Sequence, residues 1–447
     1  MREWLLLGFV VMSIPLVLKR PLLGMIIYLG ATIVRPEMLF WGTRTGGYVF
    51  MVYYIMIFTG MFLQGDFVRI GQAVRRETLL LLWLLGAILL SVMLAQYPIF
   101  RGYYYVIELM KTFGICLLLY LLVNDFNELR KIQTVMLGCF AFMAVWGIDQ
   151  HFRGNDRLEG LGGSAWGDSN GVAAIFILFM PVALAQAFAG QKRKQFWLYV
   201  GITTVMVALI VCTQSRAGLI GLTTSLVMFA FYSRTALKVA RITVLLAIVA
   251  LPFATQQYLE RMNTMAGTDD FIDSARGRIT LWKAGLLVFA DNPLIGTGFL
   301  TFPEAKMEYV DRFLDLDDEF RESIFRIESK RVTHNTYIQL LSDCGLLGAV
   351  PFILFLGGGI SLGIKARRML REYPEHSPEL LLISGLSAGI TGFAVCIFSI
   401  DAAIMIELYV QVVLATILYR IVLQKINREA GAVPTTENGL SVAAHPV

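Results

Sequence analysis

Residues 171–189 read GVAAIFILFMPVALAQAFA, an uninterrupted run without a charged side chain. As an α-helix at ~1.5 Å per residue it spans about 28 Å, close to the roughly 30 Å hydrocarbon thickness of a bilayer. A helix apolar on every side belongs in a membrane or in the centre of a large core. Similar runs recur along the chain, from Trp4–Leu18 at the start to Ile404–Leu418 near the end. Hydrophobic residues make up 57% of the 447 and charged residues 16%. An ordinary soluble domain has about 45–50% and about 25%, so lipid must be the solvent for most of this chain. The expectation is an all-α polytopic membrane protein with about 12–13 transmembrane helices. The first segment runs through Lys19-Arg20-Pro21 into more apolar sequence without a small-residue cleavage site, so it is not read as a cleavable signal peptide.

Lys and Arg decide the orientation, because basic loops stay cytoplasmic. They collect in alternate loops: Lys19/Arg20, Arg69/Arg75/Arg76, Arg130/Lys131, Lys192–Lys194, Arg234/Lys238/Arg241, Lys365–Arg371 and Lys425/Arg428. If these share the cytoplasmic face, 151–170, 213–216 and 255–344 share the external one. The expected organisation is N-terminal membrane helices over 1–254, a long external loop with amphipathic helices over 255–344, C-terminal membrane helices over 345–423 and a disordered cytoplasmic tail over 424–447. A long polar insertion between membrane helices is a natural place for function.

The external segments hold the chemistry. Arg276–Pro293 reads as an amphipathic helix, with Ile279, Trp282, Leu286 and Phe289 at helical spacing and Arg278 and Lys283 on the edges of that stripe. His334–Gly345 (HNTYIQLLSDCG) reads as a helix entering the membrane, with Thr333 as a candidate N-cap, His334 in its first turn and a bend at Gly345. A histidine there suits proton transfer near neutral pH, although a lone histidine is more often structural. The short turn Thr213–Arg216 holds Arg216 at the membrane boundary, where it needs an anionic partner or snorkels to water. The loop 151–170 carries Arg153 and Arg157 as weaker phosphate contacts, and Asp168 or Ser169 as a helix N-cap. Glu108 and Lys111 suit an i,i+3 pair, and Asp401 and Glu407 flank the last span without an evident relay.

Five singly placed cysteines form neither a disulfide framework nor a zinc site. The absence of a phosphate loop, HExxH or GxSxG removes support for ATP hydrolysis, zinc proteolysis and serine hydrolysis. The net charge of +5 includes no basic domain, so no nucleic-acid partner is expected.

Four stretches, GDSNGVA (Gly167–Ala173), TQSRAGLIGL (Thr213–Leu222), GRITLWKAGLLVFADNPLIGTGF (Gly277–Phe299) and HNTYIQLLSDCGLLG (His334–Gly348), together resemble the O-antigen ligase family of bacterial envelope glycosyltransferases. The stretch Leu18–Gly42 also resembles O-glycosylation ligases found beside exosortase-type systems. The resemblance implies a GT-C type membrane glycosyltransferase of the bacterial inner membrane, its active site facing the periplasm. It implies transfer of a glycan from undecaprenyl diphosphate to a lipid A-core, protein or glycan hydroxyl, without cofactor or metal. It assigns the donor diphosphate to Arg216 and Arg278 and the acceptor hydroxyl to His334, with Arg153, Arg157, Asp168 and Asn335 as secondary positions. Asp343 stands where many relatives carry Glu. A polysaccharide polymerase or protein O-oligosaccharyltransferase shares these features. A polysaccharide or lipid transporter is the alternative from another class, and it favours an internal repeat and a charged midplane cavity, neither of which the sequence displays.

Overall fold

The computed structural model describes residues 2–36, 46–67, 71, 74–98, 102–161, 166–190, 192–250, 269–326 and 331–431. No strand occurs among them. The helices are α1 (Arg2–Lys19), α2 (Pro21–Val34), α3 (Gly46–Gln64), α4 (Arg76–Met93), α5 (Gly102–Leu122), α6 (Phe126–Phe152), α7 (Ser169–Ala189), α8 (Arg193–Cys212), α9 (Arg216–Ser233) and α10 (Ala236–Ala250). They continue with α11 (Asp269–Asp291), α12 (Phe302–Ala305), α13 (Asp318–Phe325), α14 (Thr336–Glu372), α15 (Ser377–Cys396) and α16 (Ile406–Gly431). Among the described residues nine helices are long and apolar enough to cross a membrane: α4 to α9, α14, α15 with the turn before it, and α16. Three shorter apolar helices, Leu7–Lys19, Pro21–Val34 and Val49–Gln64, accompany them. The protein is an all-α polytopic membrane protein. The tail expected over 424–447 begins inside α16, and its residues 432–447 lie outside the described residues.

The apolar run 171–189 is the centre of the bundle. The spanning windows of α7 and α15 are each 89% buried, against 39% for α4, so α7 is apolar all round because protein surrounds it. Lipid offers no hydrophobic gain for helix association, and close backbone approach replaces it. A Cβ on Gly389 of α15 would stand 2.0 Å from the Leu178 carbonyl oxygen of α7. At the crossing of α9 and α15, a Cβ on Gly392 would stand 2.8 Å from the Gly221 oxygen. The outer helices carry exposed apolar side chains such as Phe62, Leu82, Met93 and Phe142, a surface suited to lipid.

The loop between α10 and α14 has its own small core. Leu281, Ala284 and Val288 of α11 pack with Phe302, Ala305, Phe313, Ile324 and Phe325. Ile279 and Leu286 of the apolar stripe stay exposed, while the later loop helices cover the adjacent face of α11. Lys306 lies inside this body and donates from Nζ to the carbonyls of Ile324 (2.9 Å) and Arg331 (2.9 Å). Burial lowers its ammonium to about 8, assisted by the charge of Arg331.

The loop body is joined to the bundle at a break in α14. Gly345 has φ 58° and ψ −159°, a conformation reserved for glycine, so the expected bend is a real interruption. Pro293–Gly298 passes along this break: Leu346 N donates to Pro293 O (2.8 Å), Thr297 N to Ser342 O (3.0 Å) and Gly298 N to Asp343 O (3.1 Å). The Asp343 carboxylate accepts the N–H groups of Leu300 (3.1 Å) and Phe302 (3.2 Å). A carboxylate at this buried position therefore fixes the loop that follows α11.

Candidate active site

At the loop end of the bundle the starts of α7, α9 and α14 are each capped by a side chain. Asp168 caps α7, its Oδ1 accepting from Asn170 N (3.0 Å) and Gly171 N (3.1 Å). Ser215 caps α9, with Oγ accepting from Gly218 N (2.9 Å) and donating to Asn170 Oδ1 (2.6 Å). Asn170 in turn donates from Nδ2 to Asp168 Oδ2 (3.1 Å), so one chain of hydrogen bonds ties the two helix starts together. Gln214, in left-handed backbone with φ 52°, makes the sharp turn that places Ser215 and Arg216 at the head of α9.

Arginines surround these starts. Arg157 donates from Nη2 to Ser169 Oγ (3.0 Å), and its Nη1 lies 3.2 Å from Glu159 Oε1. Arg278 reaches the same region from α11. Burial lowers its guanidinium from the usual range, Asp168 raises it, and the charges of Arg216 and Arg157 lower it further. Asp168, Arg157 and Arg216 thus all lie within electrostatic reach of Arg278, although the three arginines are separated by some sixty residues at each step of the chain. Arg153 is not part of this cluster; it is exposed and pairs with Asp149 at 2.7 Å. The fully buried Trp166, just before the cap, donates its indole N–H to Glu407 Oε1 (2.9 Å) on α16.

The third start corrects the expected cap. Asn335 caps α14, its Oδ1 accepting from Tyr337 N (3.0 Å) and Ile338 N (3.2 Å). Thr333 instead donates to Asp401 Oδ1 (2.8 Å). Asp401 also accepts from Asn335 N (3.2 Å) and His334 N (3.3 Å). Its carboxylate therefore grips three consecutive residues, which explains how His334 is held at φ 48°. A non-glycine residue in such a conformation costs roughly 1–3 kcal/mol and needs over-determining neighbours. Burial pushes the Asp401 carboxyl up from its ordinary value, while the Thr333 hydroxyl, His334 and the two backbone amides pull it down. The same turn is pinned by Thr336, which donates to Ile400 O (2.7 Å) and accepts from Ala402 N (2.8 Å).

His334 and Asp401 face Asp168 across one cavity of about 220 Å³, whose walls also include Trp166, Gly167 and Met405. Trp282 donates its indole N–H to Thr333 O (3.0 Å), anchoring α11 to the segment beside His334 one turn beyond Arg278. The structure thus gathers His334, Arg216, Arg278, Arg157 and Asp168, gives Asn335 a capping role, and leaves Arg153 outside. Sequence reading missed Asp401 as a partner of this segment. Its signal was a carboxylate in an apolar turn between two spans, a costly placement without a partner. Among the described residues the one group with metal-type ligands, Glu375, His376 and Glu429, lies at the opposite end of the bundle.

A bundle of membrane helices thus carries, at one end, a histidine-bearing cavity beside an arginine cluster. Residues 201–353 match the family described as O-antigen ligase, which supports a membrane glycosyltransferase of the ligase or polymerase type. Residues 1–155 match a family of unknown function. No curated protein matches the chain. The O-antigen ligase segment contains Arg216, Arg278 and His334; Asp168 precedes it and Asp401 follows it.

Proposed function

We propose that the protein transfers a glycan from undecaprenyl diphosphate to an acceptor hydroxyl on the periplasmic face of the bacterial inner membrane, without a metal. The observation that carries the reading is the gathering of Arg157, Arg216 and Arg278 at the starts of α7 and α9, beside the cavity that holds His334. Helix N-termini carry positive partial charge and unpaired N–H groups, and guanidinium groups suit phosphate oxygens. As the glycosidic bond breaks, negative charge grows on the departing diphosphate, and fixed cations stabilise it more in the transition state than in the ground state. His334 removes the proton of the incoming hydroxyl, whose oxygen bonds to the anomeric carbon as the diphosphate leaves. Displacement in one step inverts that carbon. Asp401 holds His334 by its backbone N–H.

The test is reconstitution of the full chain in vesicles with a purified undecaprenyl-diphosphate glycan and, separately, lipid A-core, protein and glycan acceptors. Covalent transfer that persists in a chelator and is lost in Arg278→Ala and His334→Ala is expected. Movement of intact donor across the bilayer without covalent transfer would identify a transporter. Wild-type transfer by His334→Ala would remove the proposed base.

A further inference from the structure

A second cavity, of about 250 Å³, lies beside the first and has a different chemistry. Its walls include Tyr105 from α5, Phe302 and Glu304 from the loop body, and Thr333, Gln339 and Asp343 from α14 and the segment before it. Val332 lines both cavities; Thr333 lines this one and His334 the other. One thickness of backbone therefore separates them.

Lys and Arg are absent from its lining, as they are from that of the first cavity, so any ligand here is held by groups other than cations. Its polar groups are mostly acceptors. The Asp343 carboxylate is already committed to Leu300 N and Phe302 N. Glu304 supplies a second carboxylate on the wall. Gln339 is 5% exposed, and its side-chain oxygen is buried without a hydrogen-bond partner. A buried amide left in that state is costly, and a half-turn about its terminal torsion exchanges its two ends at little expense. Tyr105, Phe302, Leu300, Pro98 and Pro303 provide aromatic and apolar surface around these acceptors. A ligand that fits has several O–H donors on a ring with apolar C–H faces. The volume equals that of roughly eight water molecules in the liquid, the scale of a single sugar ring.

We propose that this cavity is a saccharide subsite, which holds one ring of a glycan while the reacting end of that glycan passes over the Val332–His334 ridge to the catalytic cavity. The proposal rests on the glycosyltransferase reading for its role, but not for its ligand chemistry. The ring belongs either to the donor glycan or to the acceptor, and kinetics separates the two.

The first experiment uses the full-length protein in lipid nanodiscs and saturation-transfer NMR with the methyl glycosides of glucose, galactose and N-acetylglucosamine. Tetramethylammonium serves as a probe for a cation site. Transfer to the ring protons of at least one glycoside is expected. It should fall about fivefold or more in Glu304→Gln and in the volume-conserving Gln339→Met, both checked for unchanged thermal unfolding. A signal from tetramethylammonium alone, or glycoside signals that survive both substitutions, would overturn the subsite. The second experiment measures transfer with each substrate varied in turn. KM should rise about tenfold for one substrate only, with the smaller part of the effect on kcat, and that substrate supplies the ring. Unchanged KM for both would overturn its role in the reaction. Because the binding measurement needs no turnover, glycoside binding without any transfer would defeat the ligase reading and leave the subsite standing.

Discussion

At the loop end of the bundle Arg157, Arg216 and Arg278 gather where α7 and α9 begin, whereas at the opposite end Arg367 and Arg420 reach places where helices finish. Arg367 donates to the carbonyl of Phe231 near the end of α9, and Arg420 to that of Val123 just after α5 (3.3 Å). Helix C-termini expose carbonyl oxygens with negative partial charge, so the second pair satisfies a local demand. Helix starts already carry positive partial charge, so arginines placed there add like to like. Such a local conflict persists when function requires it, and a bound anion removes it.

The largest test of this contrast is charge removal at each end. Arg278→Ala and Arg216→Ala are expected to lower kcat/KM for transfer by about 100-fold or more, the scale of a lost electrostatic stabiliser, while Arg367→Ala stays within about threefold. Lysine at position 278 restores charge without the planar fork, so Arg278→Lys should recover only part of the loss in the same assay. Equal losses at both ends would erase the distinction.

Asp401 sharpens the comparison within the loop end itself. Asp401→Asn keeps shape but presents an amide where the carboxylate accepts from Thr333, His334 and Asn335. We expect transfer to fall about tenfold, with an altered pH–rate profile and wild-type membrane insertion. A profile superimposable on the wild type would mean that Asp401 only supports the fold.

Lys306 tests the loop body. Lys306→Met leaves the carbonyls of Ile324 and Arg331 without their donor, at roughly 1–3 kcal/mol each, and limited proteolysis within 302–331 should accelerate. The lysine titrates near 8 when folded and at its ordinary 10.5 when unfolded. Between those values the unfolded loop binds more protons, so stability rises with pH across that window, and the substitution should abolish the slope. The smallest effect is expected from Ser215→Ala, which loses a cap of about 1 kcal/mol and the link to Asn170. Transfer should drop a few-fold, measured as kcat/KM, with Arg216 still present.

Much of this was legible along the chain. The apolar run at 171–189 announced a membrane helix, Gly345 announced a bend, and Asp168 announced a cap, because each depends on residues close in sequence. Arg216, Arg278 and His334 stood out as ionisable groups at apolar boundaries. The partners of these residues were illegible. Thr333 looked like the cap of α14, but Asp401, 68 residues later, takes its hydroxyl and leaves the cap to Asn335. The packed face of α11, with Leu281, Ala284 and Val288, was illegible too, because periodicity identifies an apolar stripe without saying what arrives to cover its neighbour.

Sequence alone determined that lipid is the solvent and which segments share the loop end, because hydrophobic length and charge placement act locally along the chain. Only the tertiary structure decided that α7 is surrounded by protein, that three arginines meet around Asp168, and that Asp401 grips the backbone at His334. Those outcomes depend on contacts between residues tens to hundreds of positions apart, where burial and geometry select the partner and no local pattern encodes it.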